Sequence, residues 1–265
     1  MNYYDKNIIE IHNDLINKNV TSKELIDFSK SKILETNEKY NAYNLVLDPV
    51  ENNEINTLLS GIPYAMKDNI STKGIRTTAC SNTLKDYVPI YNATVYEKLC
   101  KNGAIMIGKT NMDELAMGGT GLTGNAGIVK NPYDEERIAA GSSAGSAVAV
   151  ATKTVPFAIG TDTGDSIRKP AAYTGVVGYK PSYGLISRYG LFAFASSLDT
   201  IGVITNSVID AAVVVNAVKG SDEKDMTTIK DMEEVDLTKD FNNLKSKKLF
   251  YIKEIVDKSK YTNPN

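Results

Sequence analysis

Histidine is nearly absent from this 265-residue chain, His12 being the only one. Chemistries built on Ser-His-Asp, Cys-His or HExxH sets all need an imidazole beside other catalytic groups. His12 sits among Ile8, Ile9, Ile11, Leu15 and Ile16, spaced as on a helix, and reads as a solvent-facing helix residue. A hydrolase of this sequence that uses no metal must take its general base from another side chain. Cysteine is almost as scarce. Cys80 and Cys100 lie far apart without CxxC spacing, which argues against a disulfide framework or a structural zinc site and leaves two reduced thiols as the expectation. No single sign of charge prevails either. The 30 Lys and Arg against 32 Asp and Glu leave a net charge of -2, which gives no support for a phosphate backbone as the main partner. No apolar run reaches the roughly 18 residues of a membrane span, and the N-terminal MNYYDKNIIEIHNDL mixes charges with its isoleucines where a secretion signal needs an unbroken apolar stretch. A cytoplasmic protein without membrane partners is the expectation.

What is present suits a globular chain with a sizeable core: 42% of residues are hydrophobic and 23% charged. Residues 1–40 read as a helical segment, its second helix opened by the capping box Thr21-Ser22-Lys23-Glu24. Beyond it, apolar runs at 42–47, 62–66, 104–107, 157–160 and 176–179 predict strands, and 93–101, 144–152 and 207–218 predict helices. Strands separated by helices imply an α/β fold, a sheet with covering helices, over a core of residues 41–220. Residues 221–265 are charge-rich and predicted to be partly ordered at best, with one strand-like run at 249–252.

Two motifs invite a nucleotide reading. GAIMIGKT, from Gly103 to Thr110, fits the P-loop pattern, but that pattern needs a flexible loop to wrap phosphates, and Ala104, Ile105, Met106 and Ile107 look like a buried strand. GTGLTG, from Gly119 to Gly124, fits GxGxxG, yet it follows a helix-like NMDELAM segment and leads into the turn Asn131-Pro132. A dinucleotide site requires a strand before and a helix after.

Three other segments carry more information. AGSSAGS (140–146) and GTDTGDSIRKPAA (160–172) combine small residues with serines. Such segments are often plain turns. Ser166, however, follows Thr-Asp-Thr-Gly-Asp and precedes a proline-containing helix start, where consecutive backbone N–H groups converge on a developing oxyanion. GIPYAMKDN (61–69) puts Lys67 at the end of an apolar strand. A lysine there is usually a solvated charge, but desolvation can lower its pKa enough to make it a general base.

In this order the three segments resemble the amidase signature family, whose fold is a mixed sheet covered by helices on both faces. The resemblance implies amide hydrolysis through an acyl-enzyme by a Ser-cisSer-Lys triad, with Ser166 as nucleophile, Ser142 as bridging serine and Lys67 as base. It also makes the backbone N–H groups of Thr163, Gly164, Asp165 and Ser166 candidates for the oxyanion hole. Ser143, Ser146, Asp162 and Arg168 are then expected to support the loops, with no metal. Within the family, Gly108 to Met117 and the KPSYG and FASSLD blocks, Lys180 to Leu191 and on to Asp199, resemble the glutaminase subunits of tRNA-dependent amidotransferases. That likeness implies glutamine as substrate, B and C partner subunits, Glu-tRNA(Gln) reached mainly through the partner, and no cofactor in this subunit, ATP and magnesium being used by the partner. A stand-alone amidase of small carboxamides and a non-catalytic assembly module are the alternatives.

Two departures from the family pattern stand out. Asp165 occupies a position where the motif has a second glycine; pointing away it leaves the loop geometry intact, and pointing inward it opposes an oxyanion. The family's glutaminase subunits are also longer. Their C-terminal part supplies further strands and substrate contacts, so the chain is expected to be truncated on that side, with an exposed sheet edge and apolar surface.

Overall fold

The computed structural model describes residues 2–230 together with 248, 250 and 253. Local sequence chemistry sets the first elements. Asn7 and Glu10 form a reciprocal capping box that opens α1 (Ile8–Ile16), and Thr21 and Glu24 do the same for α2 (Ser22–Tyr40). α2 stops at Asn41, whose φ of 54° is a left-handed conformation that asparagine tolerates. His12 departs from the sequence expectation. It is half-buried rather than solvent-facing, desolvation lowers its pKa, and its Nδ1 is buried without a partner among the described residues. α1 packs on a second helix, α6 (Val208–Val218), which narrows the solvent face that a sequence pattern assumes.

Six strands follow: β1 (Tyr43–Val46), β2 (Pro63–Lys67), β3 (Ile105–Thr110), β4 (Phe157–Asp162), β5 (Val177–Tyr179) and β6 (Thr200–Thr205). Between them lie α3 (Thr94–Lys101), α4 (Ala144–Ala151) and α5 (Arg168–Tyr173). The sheet order is β1-β3-β2-β4-β6-β5, parallel among β3, β2 and β4 and antiparallel elsewhere. The α/β sheet is therefore mixed. β6 is the strand that the sequence pattern misses. Gly202 interrupts its short apolar run, and a Cβ at Gly202 would lie 2.3 Å from the Tyr179 carbonyl, so the glycine marks a close backbone approach.

Side chains alternate across the strands. Ala65, Ile107, Ala158 and Ile204 join Ile26 and Ile33 of α2 and the alanines and valines of α4 in one cluster. Tyr64, Met66, Phe157 and Ile159 alternate with that set and are just as completely buried. Tyr64 and Phe157 stack across the strands with ring centroids 5.2 Å apart. Both faces are covered, as strands buried throughout require. α3 and α6 touch each other outside the α2–α4 cluster. At the far edge, β5 is the outermost strand, and with α6 it frames an apolar groove of Val177, Tyr179, Val208, Ala211 and Val215.

The nucleotide motifs have other uses. Residues 105–110 are β3 and fully buried, while 119–124 form a loop after a single 3-10 turn, Glu114–Ala116, in which Leu115 and Ala116 both have positive φ. Both cysteines are free, Cys80 buried and Cys100 exposed. The strand expected at 249–252 lies outside the described residues save for Phe250, as does most of the charged segment 221–265.

Because β2 and β4 are parallel neighbours, their carboxyl ends open on the same side, where crevices form in sheets of this kind. α4 starts against that side, and its small residues let it lie close. A Cβ at Gly145 would lie 2.3 Å from the Ala42 carbonyl and 2.5 Å from that of Asn111. Backbone cannot step aside as a side-chain tip can. Gly145→Ala is therefore expected to cost about 1–3 kcal/mol of stability, seen as a lower denaturation midpoint. Gly164→Ala, whose Cβ meets nothing within 4 Å, is expected to leave the midpoint unchanged.

Candidate active site

Lys67 ends β2 with its whole side chain buried. Its Nζ lies 2.8 Å from Ser142 Oγ, 2.8 Å from Thr161 Oγ1 and 3.4 Å from the Thr161 carbonyl. Burial pulls the amine pKa down from 10.5 to about 7, against an opposing pull from Asp113, Asp162 and Asp199. A neutral amine has two N–H donors and one lone pair. If both donors face Thr161, the lone pair is left for the Ser142 hydroxyl. Asn69 steadies the arrangement, its Nδ2 donating to Thr161 Oγ1 at 3.1 Å.

Ser142 is fully buried, its preceding peptide bond is cis, and its carbonyl accepts the Asp113 N–H at 3.2 Å. Ser143 ties two loops together. Its hydroxyl donates to the Thr161 carbonyl at 3.0 Å and accepts from the Thr161 N–H at 3.2 Å. Its own N–H donates to the Ser166 carbonyl at 3.1 Å, which brings the loop of Ser142 against that of Ser166. Ser146 lies one turn deeper, bound to the Ile159 carbonyl and to Thr110 Oγ1.

β4 ends at Asp162, whose buried carboxylate accepts the Ile167 N–H at 2.9 Å and pairs with the Arg168 guanidinium. Arg168 also donates to the Gly164 carbonyl. The loop between β4 and α5 carries Thr163, Gly164, Asp165 and Ser166. Among the described residues, none of these four backbone N–H groups meets a protein acceptor. Thr163 donates its hydroxyl to Asp199 at 2.5 Å. Asp165 is half-exposed and paired with Lys169 at 2.8 Å. That places its carboxylate outward, the orientation that leaves the loop geometry intact. Ser166 is 6% exposed.

Four residues that sequence reasoning did not single out hold this arrangement: Thr161, Asn69, Asp113 and Asp199. Asp113 is the hub of the 113–123 loop. Its carboxylate accepts from the N–H groups of Thr120, Gly121, Leu122 and Thr123 and from the Thr123 hydroxyl. Desolvation pushes its pKa up, and these bonds together outweigh it, leaving the carboxyl below its ordinary value. Asp199 also accepts the N–H groups of Phe194 and Ala195, joining the 194–199 loop to Thr163. Asp113 and Asp199 lie in the GKTNMDELAM and FASSLD blocks, so their neighbourhood was visible in the sequence although their roles were not.

The profile of the Amidase family matches residues 17–260. The chain belongs to that family. Among curated members it is 44% identical over 240 residues to the A subunit of glutamyl-tRNA(Gln) amidotransferase from Lactiplantibacillus plantarum, an alignment covering 87% of this chain and 49% of that protein. It is 45% identical over 260 residues to the protein of the same name from Sulfurisphaera tokodaii, covering 95% of this chain and 54% of that one. The crystal structure of the protein of that name from Thermotoga maritima superposes with a TM-score of 0.82 at 41% identity, covering 88% of this chain and 51% of that one. Peptide amidase from Stenotrophomonas maltophilia superposes at 0.79 and 32% identity, with coverage of 89% and 52%. The chain spans about half the length of the curated relatives it matches. Membership also places the mixed sheet among amidase-signature structures. No helix among the described residues is long and apolar enough to cross a membrane.

Two buried lysines make stability pH-dependent. Lys109, like Lys67, is pulled down by burial to about 7. Between pH 7 and 9 the unfolded chain binds protons on both that the folded chain does not, so stability rises with pH, by up to about 1.4 kcal/mol per unit for each lysine. Chemical denaturation at pH 7, 8 and 9 is expected to show this rise. Lys67→Met is expected to remove about half of it.

Proposed function

We propose that the chain is the catalytic part of a glutaminase subunit of a tRNA-dependent amidotransferase, releasing ammonia from glutamine for conversion of Glu-tRNA(Gln) to Gln-tRNA(Gln). The observation that carries the reading is the 2.8 Å contact between the buried Lys67 amine and Ser142 Oγ, next to the loop of Ser166. In this reading Ser166 attacks the side-chain carboxamide carbon. Its proton passes to Ser142 while the proton of Ser142 passes to Lys67. The C–N bond breaks, ammonia leaves with a proton returned through Ser142, and a γ-glutamyl ester remains on Ser166. Water, deprotonated by the same relay, then releases glutamate. The unengaged N–H groups from Thr163 to Ser166 face the oxyanion, each donor worth about 3 to 4 kcal/mol.

Identity of 44–45% to proteins bearing the amidotransferase name supports glutamine as substrate and partner subunits as the receivers of ammonia. ATP and magnesium belong to the partner subunit, which reaches Glu-tRNA(Gln), and the assembly works in the cytoplasm. Likeness to a peptide amidase supports the triad chemistry itself and favours, as the second reading, a stand-alone amidase of small carboxamides. The outward Asp165 weighs against a non-catalytic module.

With its partner subunits the protein is expected to release ammonia from glutamine, and Ser166→Ala to lose at least a thousandfold in rate; release unchanged in that variant refutes the assignment. Turnover of simple carboxamides by the chain alone, with none of glutamine in the assembly, selects the second reading. Because the relay needs a neutral Lys67, labelling of Ser166 by a fluorophosphonate is expected to fall tenfold per pH unit below about pH 7.

A further inference from the structure

Lys109 is the lysine of the P-loop-like motif, and it lies buried in β3 rather than on a loop. Its side chain is fully buried, with the amine donating to the Ile70 carbonyl at 2.5 Å and to Thr72 Oγ1 at 2.6 Å. In the parallel register of β2 and β3, Met66 pairs with Lys109 and Lys67 with Thr110. Paired residues share a face and neighbours along a strand do not. Lys109 therefore approaches from the face of the sheet opposite Lys67. The contacts agree: Thr110 meets Ser146 of α4 on the Lys67 side, and Thr72 lies by Met66 on the Lys109 side.

Both acceptors of Lys109 belong to the tight segment leaving β2. The Ile70 N–H closes back on the Lys67 carbonyl at 3.2 Å. Asn69, between them, holds Thr161 and accepts the Phe192 N–H at its carbonyl. We propose that Lys109 is a positioning residue for the general base: gripping Ile70 and Thr72 from behind the sheet, it fixes the 67–72 segment that aims Lys67 at Ser142 and Asn69 at Thr161. A methionine has the same reach and would fill the same space without the cost of burying an amine. Lysine differs here by its two hydrogen bonds and by its electrostatic interaction with Asp68. Without them the Thr72 hydroxyl loses its donor and the buried Ile70 carbonyl keeps only the longer bond from that hydroxyl, at 3.3 Å; the segment relaxes, and water gains access to Lys67. Asp68 is the charged group that acts on Lys109; its Oδ2 accepts from Thr78 and Asn44, and its buried Oδ1 meets no partner among the described residues.

The inference rests on the Lys67–Ser142–Ser166 reading, and the test separates the two. In the full chain assembled with its partner subunits, the rate, pH midpoint and extent of fluorophosphonate labelling are measured together with kcat and KM for glutamine. Lys109→Met is expected to slow labelling and lower kcat tenfold to a hundredfold at pH 7.5 with KM little changed, and to move the midpoint upward as Lys67 regains hydration. Thr72→Val, which removes one acceptor and leaves the lysine, is expected to give a smaller loss in the same direction. Labelling of Lys109→Met at the wild-type rate and midpoint overturns the proposal. So does a lower labelled fraction with an unmoved midpoint, which is what a merely structural role gives. Should Lys109→Met fail to fold, Thr72→Val decides, a wild-type rate and midpoint again overturning it. Wild-type labelling in Ser166→Ala would instead remove the functional reading itself.

Discussion

The removal of one lysine amine from water governs the rest of this structure. A charged ammonium at the position of Lys67 would be strongly disfavoured, and the fold answers with geometry rather than with a salt bridge. Three oxygens surround the nitrogen, two of them from Thr161. The carboxylates that could have paired with it are committed elsewhere: Asp113 to the N–H groups of its own loop, Asp162 to the start of α5 and Arg168, Asp199 to Thr163 and the 194–195 backbone. They act on Lys67 through space without neutralising it. The result is an amine whose pKa burial brings down to about 7, the condition that the proposed relay needs.

The same carboxylates define the architecture of the loops. Each gathers several donors from one segment and holds it in place. Asp113 shapes 113–123, Asp162 the loop of Ser166, and Asp199 the 194–199 turn. Ser143 then fastens two of them to each other. The site is assembled from backbone held by side chains, which is why small residues dominate its sequence.

Much of this was legible beforehand. The capping box of α2, five of the six strands and the strand-end position of Lys67 follow from local chemistry and period, and the Gly/Ser segments pointed to the family. What was not legible has a common cause. Thr161 is an ordinary strand residue until Lys67 is placed beside it. β6 is hidden because Gly202 breaks its apolar run for the sake of a neighbouring backbone. Lys109 matched a phosphate-binding pattern, since a linear motif records spacing and is silent about which side of a sheet a side chain takes. The orientation of Asp165 depended on Lys169, one helical turn away, a pairing that neither residue announces alone.

Gly145 sets a limit of another kind. With carbonyls of Ala42 and Asn111 where a side chain would begin, the start of α4 has no slack, so the centre resists variation by steric exclusion. The surrounding loops are built differently. Met117, Leu122, Phe194 and Leu198 stand exposed on the segments that Asp113 and Asp199 help to hold. Side chains on the rim can therefore be exchanged without displacing the centre, whose geometry steric exclusion holds.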